Sequence, residues 1–272
     1  MLMRKRSKSI DGSDAAETGN PAASLTRGLE ILRAFTAQDS TLGNQDLIER
    51  TGLPKATVSR LTQTLVGLGY LHYDDLLGRY SIGPATVSLG YSALSSNPVV
   101  HLARPLMQEM ANWTGAAVAL GTRDGHEMVY IANCRSMAPV TLQLNVGSRV
   151  PIYRTAMGLA YLAEMDAESR EIAVDEILSV EELSEKELQD AISAAIRGYK
   201  KDGFVTAFGA WYSYINAVGV AFRPTDGSPL VSITCGGIVD ILPKPLCRDK
   251  IGPELARLVE RLRARLSGNL GA

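Results

Sequence analysis

Between Lys55 and Leu68 the chain interleaves Lys55, Thr57, Ser59, Arg60, Gln63 and Thr64 with Val58, Leu61, Leu65 and Leu68. The four apolar residues recur at helical spacing and form one buried stripe, which leaves the polar set on the other faces of a helix. Lys55, Arg60 and Gln63 can bond base edges or phosphates, and Thr57 and Ser59 are short enough to let a helix lie deep in a groove. A bidentate Arg–guanine contact of this kind is worth about 1–3 kcal/mol of discrimination. The chemistry these residues suit is hydrogen bonding to double-stranded nucleic acid.

Covalent chemistry finds less support. The chain has no GxSxG, HExxH, Walker or GxGxxG spacing, and His72, His101 and His126 are scattered. Cys134, Cys235 and Cys247 form no CxxC pair, so neither a disulfide framework nor a zinc cluster is indicated. Cys134 follows His126 closely, but a lone Cys among strand residues reads as a small buried apolar group. We expect no catalytic residues, no metal and no cofactor, and hence a protein that is not an enzyme.

The elements around the polar helix fit a groove reader. Leu25, Leu29, Leu32 and Phe35 predict a first helix from a Thr26 cap to about Gln38. A second runs from Asn44, as N-cap, to Arg50, with Leu47 and Ile48 inward and Gln45 outward; Thr51, Gly52 and Leu53 turn the chain, and Pro54 suits the first position of the third helix. After Gly67 and Gly69, Tyr70–Tyr73 and Arg79–Ile82 read as a β-hairpin, with Arg79 placed to meet phosphate and His72 pairing within the hairpin. Three short helices and a hairpin form a winged helix-turn-helix. A polar-faced three-helix module that binds a protein instead stays open on pattern alone.

Residues 1–23 read as a disordered tail whose cluster Arg4, Lys5, Arg6 and Lys8 is solvated, or reaches a minor groove. The uncharged stretch 84–97 reads as a linker helix, Pro84–Ser95, followed by a helix from Val99 to Trp113. Strands are expected at Ala116–Gly121, Met128–Asn133, Val140–Asn145, Phe204–Phe208, Tyr214–Phe222 and Leu230–Cys235, and helices at Thr155–Glu164, Ser184–Lys201 and Pro253–Leu266. The organisation is α+β: a winged helix-turn-helix over 24–83, the linker helix, and a second domain over 98–272 with a mostly antiparallel sheet.

The 272 residues, 46% of them hydrophobic, can fill two cores. The net charge is −1, and Met1–Tyr80 holds ten Lys and Arg against nine Asp and Glu, so DNA binding must depend on local placement of charge. No apolar run is long enough to span a bilayer and the first residues lack a secretory signal, so a cytoplasmic protein without membrane contact is expected.

The segments SLTRGLEILRAF, LPKATVSRLTQTLVGLGYL and GRYSIGP closely resemble the DNA-binding domain of the isocitrate lyase regulator (IclR) family. The likeness continues through GSRVPIYRTAMGLAYLA, the Gly198–Tyr199 pair, Asp202–Phe204 and the Asp226–Gly227 turn. It implies a transcriptional regulator with a GAF-like effector-binding domain, acting as a homodimer or dimer of dimers on a palindromic operator. On the DNA side it points to Gln45, Lys55, Thr57, Ser59, Arg60, Gln63 and Arg79. On the effector side it points to Leu142, Leu144, Tyr153, Thr155, Ala156, Met157, Phe208, Trp211, Ile215, Ala217, Thr234 and Gly236. Where relatives that bind small acids carry polar anchors, this chain has Ala207, Phe208 and Ala217, with Trp211, Tyr212 and Tyr214 close by. The expected effector is therefore an aromatic or otherwise bulky, weakly polar metabolite, oriented by Thr155, Thr234 and the amides of Ala156 and Met157. The alternative, a small-molecule-binding module without specific DNA binding, would call for gaps in the polar helix, and Lys55 to Gln63 show none.

Overall fold

The computed structural model describes residues 21–138, 142–225 and 227–268. The chain divides between Gly90 and Tyr91 into two compact units, each with its own core.

In the first unit, α1 (Pro21–Arg33), α2 (Asn44–Thr51) and α3 (Lys55–Gly67) close over Ile31, Leu47, Val58 and Leu61. Leu71 and Tyr80 join that core from β2 (Leu71–Asp74) and β3 (Arg79–Ile82). The strand β1 (Leu42–Gly43), not foreseen from sequence, pairs with β3 to make a three-stranded antiparallel sheet in the order β1-β3-β2. Two residues are too few for a period-2 signal, and Leu42 is there to bury its side chain.

Helix starts depart from the sequence reading. Pro21–Ala23 belong to α1, and Thr26 lies inside it, its hydroxyl donating to the Ala22 carbonyl instead of capping. Residues 1–20, with the basic cluster, lie outside the described residues. Gly43, not Asn44, caps α2: its amide donates to the Asp46 carboxylate at 2.8 Å. Gly52, at φ 68°, closes α2, and Pro54 stands one residue before α3 with extended backbone. That order gives the sharp turn between the two helices. The loop after α1 is held by Arg50, whose guanidinium takes both oxygens of Asp39 at 2.5 and 2.8 Å.

Next come α4 (Pro84–Ser95), α5 (Pro98–Thr114), β4 (Ala117–Asp124), β5 (Glu127–Arg135), β6 (Arg149–Pro151), α6 (Ala156–Glu164), α7 (Ala167–Val180), α8 (Glu185–Asp202), β7 (Val205–Phe208), β8 (Ile215–Phe222) and β9 (Val231–Ile238). The chain ends in α9 (Lys244–Leu246), a π-turn over Cys247–Ile251 and α10 (Gly252–Gly268). The six strands form one antiparallel sheet in the order β6-β5-β4-β9-β8-β7. Helix α7 was not foreseen; Ala173, Val174 and Ile177 are buried while the equally apolar Ile172 and Val180 are exposed, so its apolar residues mark no single stripe. The strand expected at 140–145 is absent from the described part, 142–145, and β6 forms the sheet edge instead.

The two faces of this sheet differ in side-chain size. Val118, Leu120, Val218, Val220, Phe222, Ile233 and Cys235 face α5 and α10. The alternate positions facing α6 are small: Ala119 and Gly121, Ala217, Gly219 and Ala221, Ser232, Thr234 and Gly236. Period-2 alternation thus leaves one face bulky and the other nearly bare. Onto the bare face α6 packs backbone against backbone. A Cβ on Gly219 would fall on the Ala156 carbonyl, and one on Gly158 on the Ile152 backbone, both far inside van der Waals contact.

Because backbone atoms cannot yield as a flexible side chain can, Gly219→Ala is expected to destabilise the second unit by more than about 3 kcal/mol or to leave it unfolded. Thermal denaturation followed by far-UV circular dichroism checks this, and an unchanged Tm would contradict the packing described.

Candidate DNA interface and effector pocket

Helix α3 presents an exposed polar arc opposite its buried Val58, Leu61 and Thr62. Thr62 is anchored, donating to the Val58 carbonyl at 2.9 Å and meeting the Tyr80 hydroxyl at 3.2 Å. Lys55, Ser59, Arg60 and Gln63 are exposed, Thr57 is half-buried at the edge of the arc, and none of the five side chains makes a hydrogen bond or ion pair among the described residues. Five free polar groups on one rigid helix can bond an external partner without first breaking an internal contact.

Gln45 and Arg79 are placed differently. Gln45 donates to Glu49 one turn along α2 at 2.9 Å. The Arg79 guanidinium donates from Nε to the Thr41 hydroxyl (2.9 Å), and from its second terminal nitrogen to the Thr41 carbonyl (3.1 Å) and to Asp46 (2.8 Å). It ties β3 to the start of α2, with its charge answered by a carboxylate. The hairpin tip carries Asp74, Asp75 and the exposed Leu76 and Leu77, and the Asp74 carboxylate accepts the amides of Leu76 and Leu77. The tip thus offers no cation to a phosphate.

In the second unit a cavity of about 40 Å³ opens where the small-residue sheet face meets the start of α6. Its floor is Ala207, Ala217, Thr234 and Gly236; Thr155, Ala156 and Met157 form one wall; Trp211 and Ile215 form the other; Leu142 and Leu144 cover it. A built Cβ on Gly236 would lie 3.5 Å from Leu142, so the cover rests on the bare strand. The Leu144 carbonyl accepts from Asn133 at 2.6 Å and from Arg135, which also donates to Asn145 at 2.9 Å. Ten of the twelve residues expected on the effector side therefore gather around one cavity.

Two do not. Phe208 points to the opposite sheet face, under Lys244 and Arg248 at 5.8 and 5.1 Å from its ring, because β7 alternates and Ala207 takes the cavity side. Tyr153 is buried in the core beside α6 and α7, its hydroxyl donating to Glu181 at 3.0 Å. Ala207, noted in the sequence for its lack of a polar anchor, joins the lining, which Tyr130, Arg154 and Ala210 complete; these last three were not singled out from sequence. Arg154 adjoins Thr155 and is the one charged group in the lining, so its neighbourhood was a usable signal; nothing local pointed to Tyr130.

The polar groups differ in what they can give. Thr155 caps α6, accepting from the Gly158 amide at 3.2 Å while donating to the Pro151 carbonyl at 2.8 Å. Thr234 donates to the Val218 carbonyl at 2.8 Å. Both hydroxyl protons are used internally, so these threonines can accept from a ligand but not donate to an anion. Donors remain in Arg154, whose guanidinium lies over the Tyr153 ring at 5.0 Å, and in the Ala156 and Met157 amides, which as the first residues of α6 have no helical acceptor.

A DNA-reading winged helix followed by a domain with a lined internal cavity defines a ligand-responsive DNA-binding regulator. Comparison with known proteins gives the family. Residues 24–75 match the IclR helix-turn-helix domain, and residues 91–246 match the C-terminal domain of the bacterial transcriptional regulator IclR. The chain is 32% identical over 247 residues to the HTH-type transcriptional regulator TsaQ1/TsaQ2 of Comamonas testosteroni, covering 89% of this chain and 88% of that one. An IclR-family regulator of Brucella abortus superposes with a TM-score of 0.80 at 36% identity, over 89% of this chain and 91% of that one. An IclR homologue of Microbacterium hydrocarbonoxydans, solved with 4-hydroxybenzoate, shares the fold with a TM-score of 0.67 at 20% identity, over 89% and 99% of the two chains. The chain belongs to the IclR family of DNA-binding transcriptional regulators.

The Arg79 contacts generate a test. The Asp46 carboxyl is held below its ordinary pKa, first by the Gly43 amide and then by Arg79. A depressed carboxylate contributes stability that is present above its unfolded pKa of about 4 and lost as pH falls through the folded value. Arg79→Ala is therefore expected to lower the Tm of the first unit by a few degrees at neutral pH, with the difference from wild type shrinking below about pH 4. An unchanged Tm together with a shallower salt dependence of DNA binding would instead make Arg79 a phosphate contact.

Proposed function

We propose that this regulator reads its operator through Lys55, Thr57, Ser59, Arg60 and Gln63, and that an aromatic acid entering the cavity of the second unit alters operator affinity. The observation that carries the first half is that these α3 side chains are presented without internal partners. Arg60 is the principal reader of bases in this account, and Lys55, at the helix start, contacts phosphate. Gln45 adds a secondary contact at the cost of its bond to Glu49, while Arg79 holds the hairpin in position.

For the effector, the walls are apolar and aromatic, and the charged donor at their rim is cationic. That combination favours a flat apolar body with a carboxylate directed to Arg154 and the first amides of α6. The structural neighbour solved with 4-hydroxybenzoate is consistent with this class. At about 40 Å³ the cavity has room for a few waters, whereas a cavity that accepts benzene measures about 150 Å³. Effector entry thus requires Leu142, Leu144 or Trp211 to move, and a ligand that favours the opened form can bias the protein by its differential affinity.

Helix α4 has no charged residue and exposes Val87, Leu89 and Tyr91, which supports pairing of two chains along it in a homodimer or dimer of dimers. A pair of readers suits a palindromic operator. In this reading residues 24–83 are the reader, 84–97 the linker and 98–272 the sensor, with α1 of the reader beginning earlier, at Pro21. No helix among the described residues is long and apolar enough to cross a membrane, and a DNA-binding role favours the cytoplasm. Regulation without catalysis is the reading that the family supports.

Arg60→Ala tests the DNA half. Its affinity for the specific operator should fall roughly 5- to 150-fold, towards the level for unrelated DNA, with Tm unchanged because Arg60 has no partner to lose. Fluorescence anisotropy at one stated salt concentration measures both affinities. Retained discrimination would remove Arg60 from the reading set.

A further inference from the structure

The register between β4 and β5 slips at one point: Leu120 pairs with Ala132 but Gly121 pairs with Tyr130, so Ile131 is an extra residue, a β-bulge. Its consequence is visible in the packing. Ala132 and Cys134 point into the core under α5, as alternation from one another requires. Tyr130, two residues before Ala132, should share their face; the bulge turns it to the α6 side, where it lines the cavity. The partner across the strand is Gly121, and the place of its missing side chain is taken by the thioether of Met157, which a Cβ there would meet at 2.5 Å.

The ring is 7% exposed, and the phenol hydroxyl makes no hydrogen bond among the described residues. Burial alone pushes its pKa upward, with no neighbouring charge or hydrogen bond acting on it, so it is a neutral O–H that can donate and accept. A phenylalanine would fill the same space, whereas the tyrosine gives the cavity lining a hydroxyl that has no partner among the described residues. Elsewhere in the lining the threonine protons are already used and Arg154 is a cation suited to an anion. Among the described lining side chains Tyr130 is the remaining neutral group that can both donate and accept, the indole N–H of Trp211 being a donor only.

We propose that Tyr130 is the specificity-determining residue of the sensor, reading a polar ring substituent of the effector, so that the ligand class is a hydroxylated aromatic carboxylate. The inference rests on the aromatic-acid reading of the cavity. It adds that the ligand is bipolar: its carboxylate is taken by Arg154, and its hydroxyl meets Tyr130 across an apolar ring contact.

The test uses the full chain, titrated calorimetrically with benzoate and the three monohydroxybenzoates, in wild type and Tyr130→Phe. One hydroxy isomer should bind wild type about fivefold or more tightly than benzoate, within the range of a single neutral hydrogen bond. In Tyr130→Phe that advantage should fall below about twofold, with benzoate affinity unchanged and Tm no lower than wild type, since the hydroxyl has no partner to lose. An isomer advantage that survives in Tyr130→Phe, or its absence in wild type while benzoate binds, overturns the role of Tyr130 and leaves the aromatic-acid reading standing. A lowered Tm in the variant overturns it as well, by showing an internal partner. Failure of wild type to bind any of the four acids overturns the aromatic-acid reading itself.

Discussion

The sensor unit depends on one close approach: the first turn of α6 lies directly on β8, with no side chain between the Ala156 carbonyl and Gly219. Everything around the cavity follows from it. The approach sets the amides of Ala156 and Met157 beside the sheet, fixes Thr155 as the cap, and puts Arg154 at the rim. It also needs the neighbouring strand positions to be small, and the run of small residues continues beyond the helix end, where Ala217, Thr234 and Gly236 leave the floor of the cavity open. The opposite face, filled by Val118, Leu120, Val220, Phe222 and Ile233, provides the rigid backing. A bulky layer on one side and a bare one on the other let a single sheet serve as both core and binding surface.

The DNA-reading unit divides its polar residues in another way. Arg50 and Arg79 are engaged with Asp39 and Asp46 and hold the loops around α2 in place. Lys55, Arg60 and Gln63 are left free on the outer side of α3. Near-zero net charge is compatible with DNA binding on these terms, because Lys55 and Arg60 stand on α3 without a carboxylate partner among the described residues.

Periodicity was enough to find α3 and to place β8 and β9, since each is long enough to repeat its pattern, while the hairpin was legible from the Gly residues around its two short strands. Caps were harder: Thr26 and Asn44 are good cap residues by type, yet Gly43 is chosen because Asp46 can reach its amide. Phe208 was misplaced because a strand of four residues gives no internal check on which face is inward. Arg79 looked free because its partners, Thr41 and Asp46, are distant in sequence. Tyr130 could not have been found at all, since its direction depends on a bulge created by pairing with β4 and not by any residue near it. What escapes the sequence is the long-range contact that re-aims a side chain.

Reader and sensor together make a claim that neither supports alone: filling a cavity now only about 40 Å³ in size changes how tightly the protein holds DNA. The direct measurement is fluorescence anisotropy of the purified protein on DNA from upstream of its own gene, at fixed salt, with unrelated DNA as control and with hydroxybenzoates and benzoate added in turn. The account predicts sequence-specific binding whose Kd shifts several-fold when an aromatic acid is present, while non-specific binding is unaffected. Specific binding that no aromatic acid alters, at ligand levels where calorimetry shows the cavity occupied, would contradict the coupling of sensor to reader.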